Sequence, residues 1–131
     1  MDSGKIIETV LREINRSVSG VSHESLEALV NAVNREKRIF CDGVGRSRLK
    51  AEGFAMRLIQ MGFTALVVGE ATTPAITRDD MLLICSASGE TPMLVEHAAK
   101  AKKVGAAVML ITTSETSSLA VLSDFVITID A

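Results

Sequence analysis

Met81-Leu82-Leu83-Ile84-Cys85-Ser86-Ala87-Ser88-Gly89-Glu90-Thr91-Pro92 is the stretch that decides how this chain folds. The five apolar residues 81–85 read as a short strand buried on both faces, since no polar position alternates with them. Pro92 fits the first turn of a following helix, where its missing N–H costs nothing. Between strand and helix stand the hydroxyls of Ser86, Ser88 and Thr91, with Gly89 among them. The free N–H groups and positive dipole end of the helix would face this loop, which makes an anion site. Hydroxyls donate to phosphate oxygens without bulk or fixed charge, so the loop reads as a holder of a phosphate monoester. The competing reading is an ordinary Ser/Gly turn with a hydroxyl cap.

Outward from that stretch the same alternation continues. Ile6, Ile7, Val10, Leu11, Ile14 and Val18 are spaced for a helix over 5–18, closed by Gly20. Ser22 with Glu24-Ser25 opens a second helix in a capping pattern, which the apolar spacing carries to about Lys37. Arg38 to Gly45 reads as a buried strand ending in a glycine turn. A helix from Ser47 to Met61 follows, with Leu49, Phe54, Met56, Leu58 and Ile59 as its apolar positions and Gly62 beyond its end. Then come a strand over 64–69, a loop through Thr72-Thr73-Pro74, the strand 81–86 and a helix 92–104 stopped by Gly105. A strand over 106–112, a short helix 117–123 and a strand 125–129 complete the chain. Five parallel strands with right-handed crossovers give an α/β fold. It is a three-layer, doubly wound, flavodoxin-like sheet of order 2-1-3-4-5, with two leading helices. Residues 1–37 are those helices and 38–131 the α/β core of a single domain. The leading helices are amphipathic, suited to covering the sheet or to facing a partner. Met56, Met61, Met81, Met93 and Met109 fall at positions suited to filling a core.

Composition narrows the function. At 131 residues, 47% hydrophobic and 23% charged, the chain is a globular domain large enough for a real core. No apolar run approaches the roughly 18 residues that span a bilayer, and Met1-Asp2-Ser3-Gly4-Lys5 has no signal-peptide apolar region. No membrane partner and a cytoplasmic location are therefore expected. Cys41 and Cys85 sit inside predicted strands and read as small core residues, and two His without clustered Cys give no zinc pattern. No metal and no cofactor are expected. A net charge of −2, with no Trp or Tyr, gives neither a nucleic-acid footprint nor an aromatic platform for sugars.

In a doubly wound sheet, ligands bind outside the carboxyl ends of strands where the strand order reverses. Two loops meet that description: Gly43-Val44-Gly45-Arg46-Ser47 after the first strand, and 86–91 after the third. In the order 2-1-3-4-5 their strands are neighbours at the switch point. Both loops would feed one site. Gly43-x-Gly45 also opens a dinucleotide G-x-G-x-x-G, with Glu70 near the place of a ribose-binding acid. The third glycine, however, is replaced by Arg48.

These segments, Gly43-x-Gly45-Arg46-Ser47, Phe54-Ala55-Met56-Arg57-Leu58, Val67-Val68-Gly69-Glu70, Thr73-Pro74 and Ser86-x-Ser88-Gly89-Glu90-Thr91, together resemble the sugar isomerase (SIS) domain. More narrowly they resemble its 6-phospho-3-hexuloisomerase group, and the resemblance runs essentially the length of the chain. It implies interconversion of 3-hexulose 6-phosphate and fructose 6-phosphate in the ribulose monophosphate pathway. It also implies independence of metals and a homo-oligomer, dimer or tetramer, with sites near subunit interfaces. Carried across by position, the phosphate ligands would be Ser47, Ser86, Ser88 and Thr91, assisted by the N–H groups of Ala87 and Gly89, with Gly45 and Arg46 as further candidates. Two departures stand out. Arg48 occupies the place of a glycine in G-x-G-R-S-G, where a cation could tighten anion binding or crowd the sugar. The group also continues past the last strand into helices that carry a catalytic glutamate and histidine, and those helices are absent from this chain, which ends at Ala131.

Moving a carbonyl between C2 and C3 passes through a cis-enediol and needs a base that shuttles a proton between the carbons. Within the chain the candidates are Glu52, Glu70, Glu90 and His97. Glu90 stands in the phosphate loop, where its charge would repel a dianion, so a buttressing role suits it better. His97 reads as a solvated or interface histidine, and no residue is assigned as the catalytic base. The alternative function is a phosphosugar-binding module that senses its ligand without turnover.

Overall fold

The computed structural model describes residues 1–131. In chain order the elements are α1 (Ser3–Ser19), α2 (His23–Ala32), β1 (Arg38–Asp42), α3 (Arg46–Gln60), β2 (Thr64–Val67), β3 (Met81–Cys85), α4 (Pro92–Val104), β4 (Ala107–Thr112), α5 (Ser118–Leu122) and β5 (Phe125–Thr128). All five strands are parallel, and the sheet order is β2-β1-β3-β4-β5, as the alternation of apolar runs and helices predicts.

Each central strand is buried on both faces, so its odd and even residues serve two separate cores. Ile39, Cys41, Leu83 and Met109 face Ala51, Ala55 and Leu58 of α3. Phe40, Leu82, Ile84, Val108 and Leu110 face Leu94, Ala98 and Ala101 of α4, together with Leu119 of α5. The helices approach through alanines, which lets the layers sit close.

That choice corrects the reading of α3. Only Leu58 of its predicted apolar set is buried. The packing stripe is Ala51–Ala55–Leu58, and Leu49, Phe54, Met56 and Ile59 stay exposed. Of the five methionines read as core fillers, Met81 and Met109 are buried, whereas Met56, Met61 and Met93 are exposed.

The leading helices also separate in role. Leu29, Ala32 and Val33 pack against the α3-side core, but no residue of α1 is buried. The body holds α1 near its end, where the Asp130 N–H donates to the Ser17 carbonyl at 3.1 Å. The second helix stops at Ala32, not near Lys37. The Asn34 side chain accepts from the N–H groups of Glu36 and Lys37 at 3.0 and 3.1 Å, a local turn that competes with another helical turn.

Candidate functional site

The carboxyl ends of β1 and β3 lie side by side, with Asp42 paired to Ile84. Immediately beyond them the two loops close around a cavity of about 230 Å³ lined by Ser47, Ser86, Ala87, Ser88 and Thr91, with Val44, Cys85 and Leu94 as its apolar wall. Ser47 and Ser88, set 41 residues apart in the chain, thus share one cavity, and no carboxylate lines it.

The 86–91 loop is held by its own hydroxyls. Ser86 Oγ accepts from the Gly89 N–H at 3.1 Å, and Ser88 Oγ accepts from the Glu90 N–H at 3.2 Å. An oxygen that accepts in this way keeps its own O–H free to donate. The Ala87 carbonyl is gripped by Thr112 Oγ1 at 3.0 Å, Thr113 Oγ1 at 2.7 Å and the Thr113 N–H at 3.1 Å. Gly89 has a φ of +69°, and an added Cβ would collide with the Ser117 side chain, so no other residue type fits there. Thr91 is the N-cap of α4, yet its side chain makes no capping bond. The hydroxyl is left over for another partner, contrary to the ordinary-turn reading.

Two helices begin at this cavity. Ser47 lies in the first turn of α3 and Thr91 precedes α4, and neither helix has an acidic residue in its first turn. The unpaired N–H groups and dipoles of both point the same way. Arg46 is exposed and belongs to none of the ion pairs. Gly45, the N-cap of α3, shapes the turn.

The acidic candidates disperse. Glu90 turns away from the cavity and takes the Ser118 N–H and Ser118 Oγ, both at 2.7 Å, so it caps α5. Those bonds hold its carboxyl below the usual glutamate range. Glu52 and Glu70 both pair with Arg48, at 3.2 and 3.5 Å. His97 is half-buried, not free in solvent. Its Nδ1 lies 2.6 Å from Oδ2 of Asp42, a carboxylate only 1% exposed. His97 and Glu70 line one cavity of about 240 Å³ between α4 and the loop after β2. Burial and then the charge of Asp42 push the thiol of Cys85, beside the hydroxyls, up and so disfavour its thiolate. Burial likewise pushes Cys41 up, to about 12.

Two features escaped the sequence reading. Lys50 lines a neighbouring cavity of about 360 Å³ that shares Ser47, Ser86 and Ala87 with the first. Its spacing of three residues from Ser47 on one helix was the available signal. Asp42 was legible only as an acid inside an apolar run, since its partner is 55 residues away.

A switch-point cavity of hydroxyls and helix starts has the chemistry of an anion site in an α/β domain, and the comparisons give the family. The SIS domain model matches residues 32–131, and the chain belongs to that family. Among its relatives is the 3-hexulose-6-phosphate isomerase of Bacillus subtilis, 38% identical over 127 residues, which cover 97% of this chain and 69% of that protein. The enzyme of the same name from Mycobacterium gastri is 39% identical over 95% of this chain and 63% of its own length. A Methanococcus jannaschii crystal structure, for which a 3-hexulose-6-phosphate isomerase function was inferred, superposes with a TM-score of 0.76. It shares 35% identity and covers 80% of this chain and 59% of that one. The chain thus spans about two thirds of these curated relatives.

Proposed function

We infer that this chain is a phosphosugar isomerase that interconverts 3-hexulose 6-phosphate and fructose 6-phosphate. The names of its relatives in Bacillus and Mycobacterium support the reading. The observation that carries it is the single cavity where Ser47, Ser86, Ser88 and Thr91 meet two helix N-termini, with no carboxylate present. A phosphate dianion placed there would take O–H bonds from the four hydroxyls and an N–H bond from Ala87, and Gly89 would shape the loop around it. Arg46 adds charge at the rim. The carbon chain would extend toward the neighbouring cavities, and phosphate binding energy would hold C2 and C3 in place for proton transfer through a cis-enediol.

The working form we propose is a homo-oligomer in the cytoplasm. The apolar stripe of α1, including Leu11 at 62% exposed, and the outward Leu49, Met56 and Ile59 of α3 are too much apolar surface for a lone domain. No helix is long and apolar enough to cross a membrane.

The test is turnover of fructose 6-phosphate, alongside calorimetry with the same ligand on the wild type and Ser88→Ala. Isomerisation, together with affinity at least about tenfold weaker in the variant, is expected. Binding without turnover would replace the isomerase with a sensing module. Binding that Ser88→Ala leaves intact would remove the assigned site.

A further inference from the structure

The hydroxyl cavity shares a wall with its neighbour. Ser47, Cys85, Ser86 and Ala87 line both the cavity of about 230 Å³ and the one of about 360 Å³ beside it. That wall is pinned, because Thr112 Oγ1, Thr113 Oγ1 and the Thr113 N–H all donate to the Ala87 carbonyl. A ligand bound to Ser47 and Ser86 therefore presents one flank to the second cavity. No carboxylate lines either space. The cavity beside His97, by contrast, has no lining residue in common with the hydroxyls.

What the second cavity offers that flank is set by its remaining walls. Phe54, Ile111 and Ile129 are apolar, and the hydroxyl protons of Thr112 and Thr113 are already engaged by Ala87. Of the side chains that line the second cavity alone, Lys50 is left with polar hydrogens to give. It lies three residues after Ser47 on α3, so the two share a helix face. Its ammonium belongs to none of the ion pairs. The helix supplies it no acid, since the positions one turn away are Arg46, Ser47, Gly53 and Phe54. The other cations of α3 do not compete for the place. Arg46 lines neither cavity, Arg48 is held by Val68, Glu52 and Glu70, and Arg57 donates to Gln60. A point charge on a flexible stem beside apolar walls acts more strongly than in open water, because such walls focus its field.

We propose that Lys50 is a specificity-determining residue of the sugar-phosphate site, its ammonium pairing with the phosphate on the flank that Ser47 and Ser86 face. The proposal rests on the phosphosugar reading above. Hydroxyls and helix N-termini hold an anion through dipoles, whereas Lys50 adds a full opposite charge. The site thereby separates a phosphate ester, which carries close to two charges at neutral pH, from a singly charged ester of the same shape.

The test is calorimetry on the full chain and on Lys50→Met, which keeps an unbranched stem and removes the charge, with Lys50→Arg as the restoring variant. Lys50 is exposed, so neither change disturbs the core. At about 50 mM salt, Lys50→Met should bind fructose 6-phosphate and inorganic phosphate about tenfold more weakly. For fructose 6-sulfate, a single charge, the loss should be about threefold, since Coulomb energy scales with charge. The phosphate loss should shrink to about twofold at about 1 M salt, where the Debye length is about 3 Å. Lys50→Arg should stay within about threefold of wild type. A Lys50→Met protein that binds fructose 6-phosphate within about twofold of wild type at low salt overturns the proposal. So does a loss that is equal for the sulfate ester, that high salt leaves unchanged, or that Lys50→Arg fails to restore. If Ser88→Ala still weakens binding in those cases, the hydroxyl site stands without Lys50. A wild type that binds no sugar phosphate removes the phosphosugar reading along with it.

Discussion

Arg48 Nη1 donates to the Val68 carbonyl at 2.8 Å, tying the first turn of α3 to the end of β2. Its Nε and Nη2 reach Glu52 and Glu70 at 3.2 and 3.5 Å, so the guanidinium runs away from the hydroxyl cavity. The resemblance to G-x-G-R-S-G left open whether this cation would tighten an anion site or crowd it. The geometry does neither. Arg48→Gly should cost about 1–2 kcal/mol, from lost charged hydrogen bonds and a glycine in a helix. Affinity for inorganic phosphate should stay within about twofold. Urea unfolding and calorimetry check both, and a tenfold change in affinity would contradict the assignment.

Glu90 belongs to the loop's scaffold. Its carboxyl is held down first by the Ser118 hydroxyl and then by the Ser118 N–H, so it is ionised throughout the neutral range and bonded away from the cavity. Glu90→Gln should raise KM several-fold through a looser loop, while kcat and its pH profile stay near wild type. A base would show the reverse. Steady-state kinetics between about pH 5 and 9 separates the two, since a glutamate base titrates toward that window.

The sheet was legible because its strands are buried on both faces. Runs such as 81–85 and 107–112 carry no polar residue before their last positions, and only a parallel sheet sandwiched between helices hides them. The hydroxyl-rich loop was legible for a similar reason, since Ser86, Ser88 and Thr91 fall within six residues and adjoin a helix start. What stayed hidden depended on depth and direction. The apolar residues of α3 could not reveal that alanines face the sheet, because layer spacing is set by the strands beneath. Nothing local to His97 announces Asp42, because their contact exists only after α4 is laid across β1. The dinucleotide pattern asks for a glycine at position 48, where this chain has Arg48, but the tight backbone contact belongs to Gly43.

An added Cβ at Gly43 would sit 2.8 Å from the Arg48 N and 2.9 Å from the Ser47 carbonyl group. All of these are backbone atoms in the first turn of α3, which cannot swing aside as a side chain would. Gly43→Ala should therefore destabilise the fold by about 1–3 kcal/mol. It should also weaken sugar-phosphate binding, because the displaced atoms include those of Ser47. Thermal unfolding with and without fructose 6-phosphate reads both effects. An alanine variant with wild-type stability would show that the β1–α3 turn is looser than drawn.

Acid should unfold this chain by way of carboxylates that the fold keeps charged. Asp80 shows the balance. Burial alone would raise it, but the bonds from Arg38 Nε and Nη2 at 2.8 and 2.7 Å, with those from Thr77, outweigh burial and lower it. Asp124 moves down in the same way, against burial, through Lys102 and the Val108 N–H. A group whose folded value lies below its unfolded value stabilises fully above the latter, about 3.9 for aspartate, and loses that contribution as pH falls through the former. Asp80→Asn should thus cost about 2–3 kcal/mol at pH 7, the lower end reflecting an Arg38 side chain that is 34% exposed. The gap between variant and wild type should close as pH drops from about 5 toward 2. Urea midpoints measured across that range decide it. A gap of constant size would mean that Asp80 stabilises the loop through shape alone, with its charge contributing nothing.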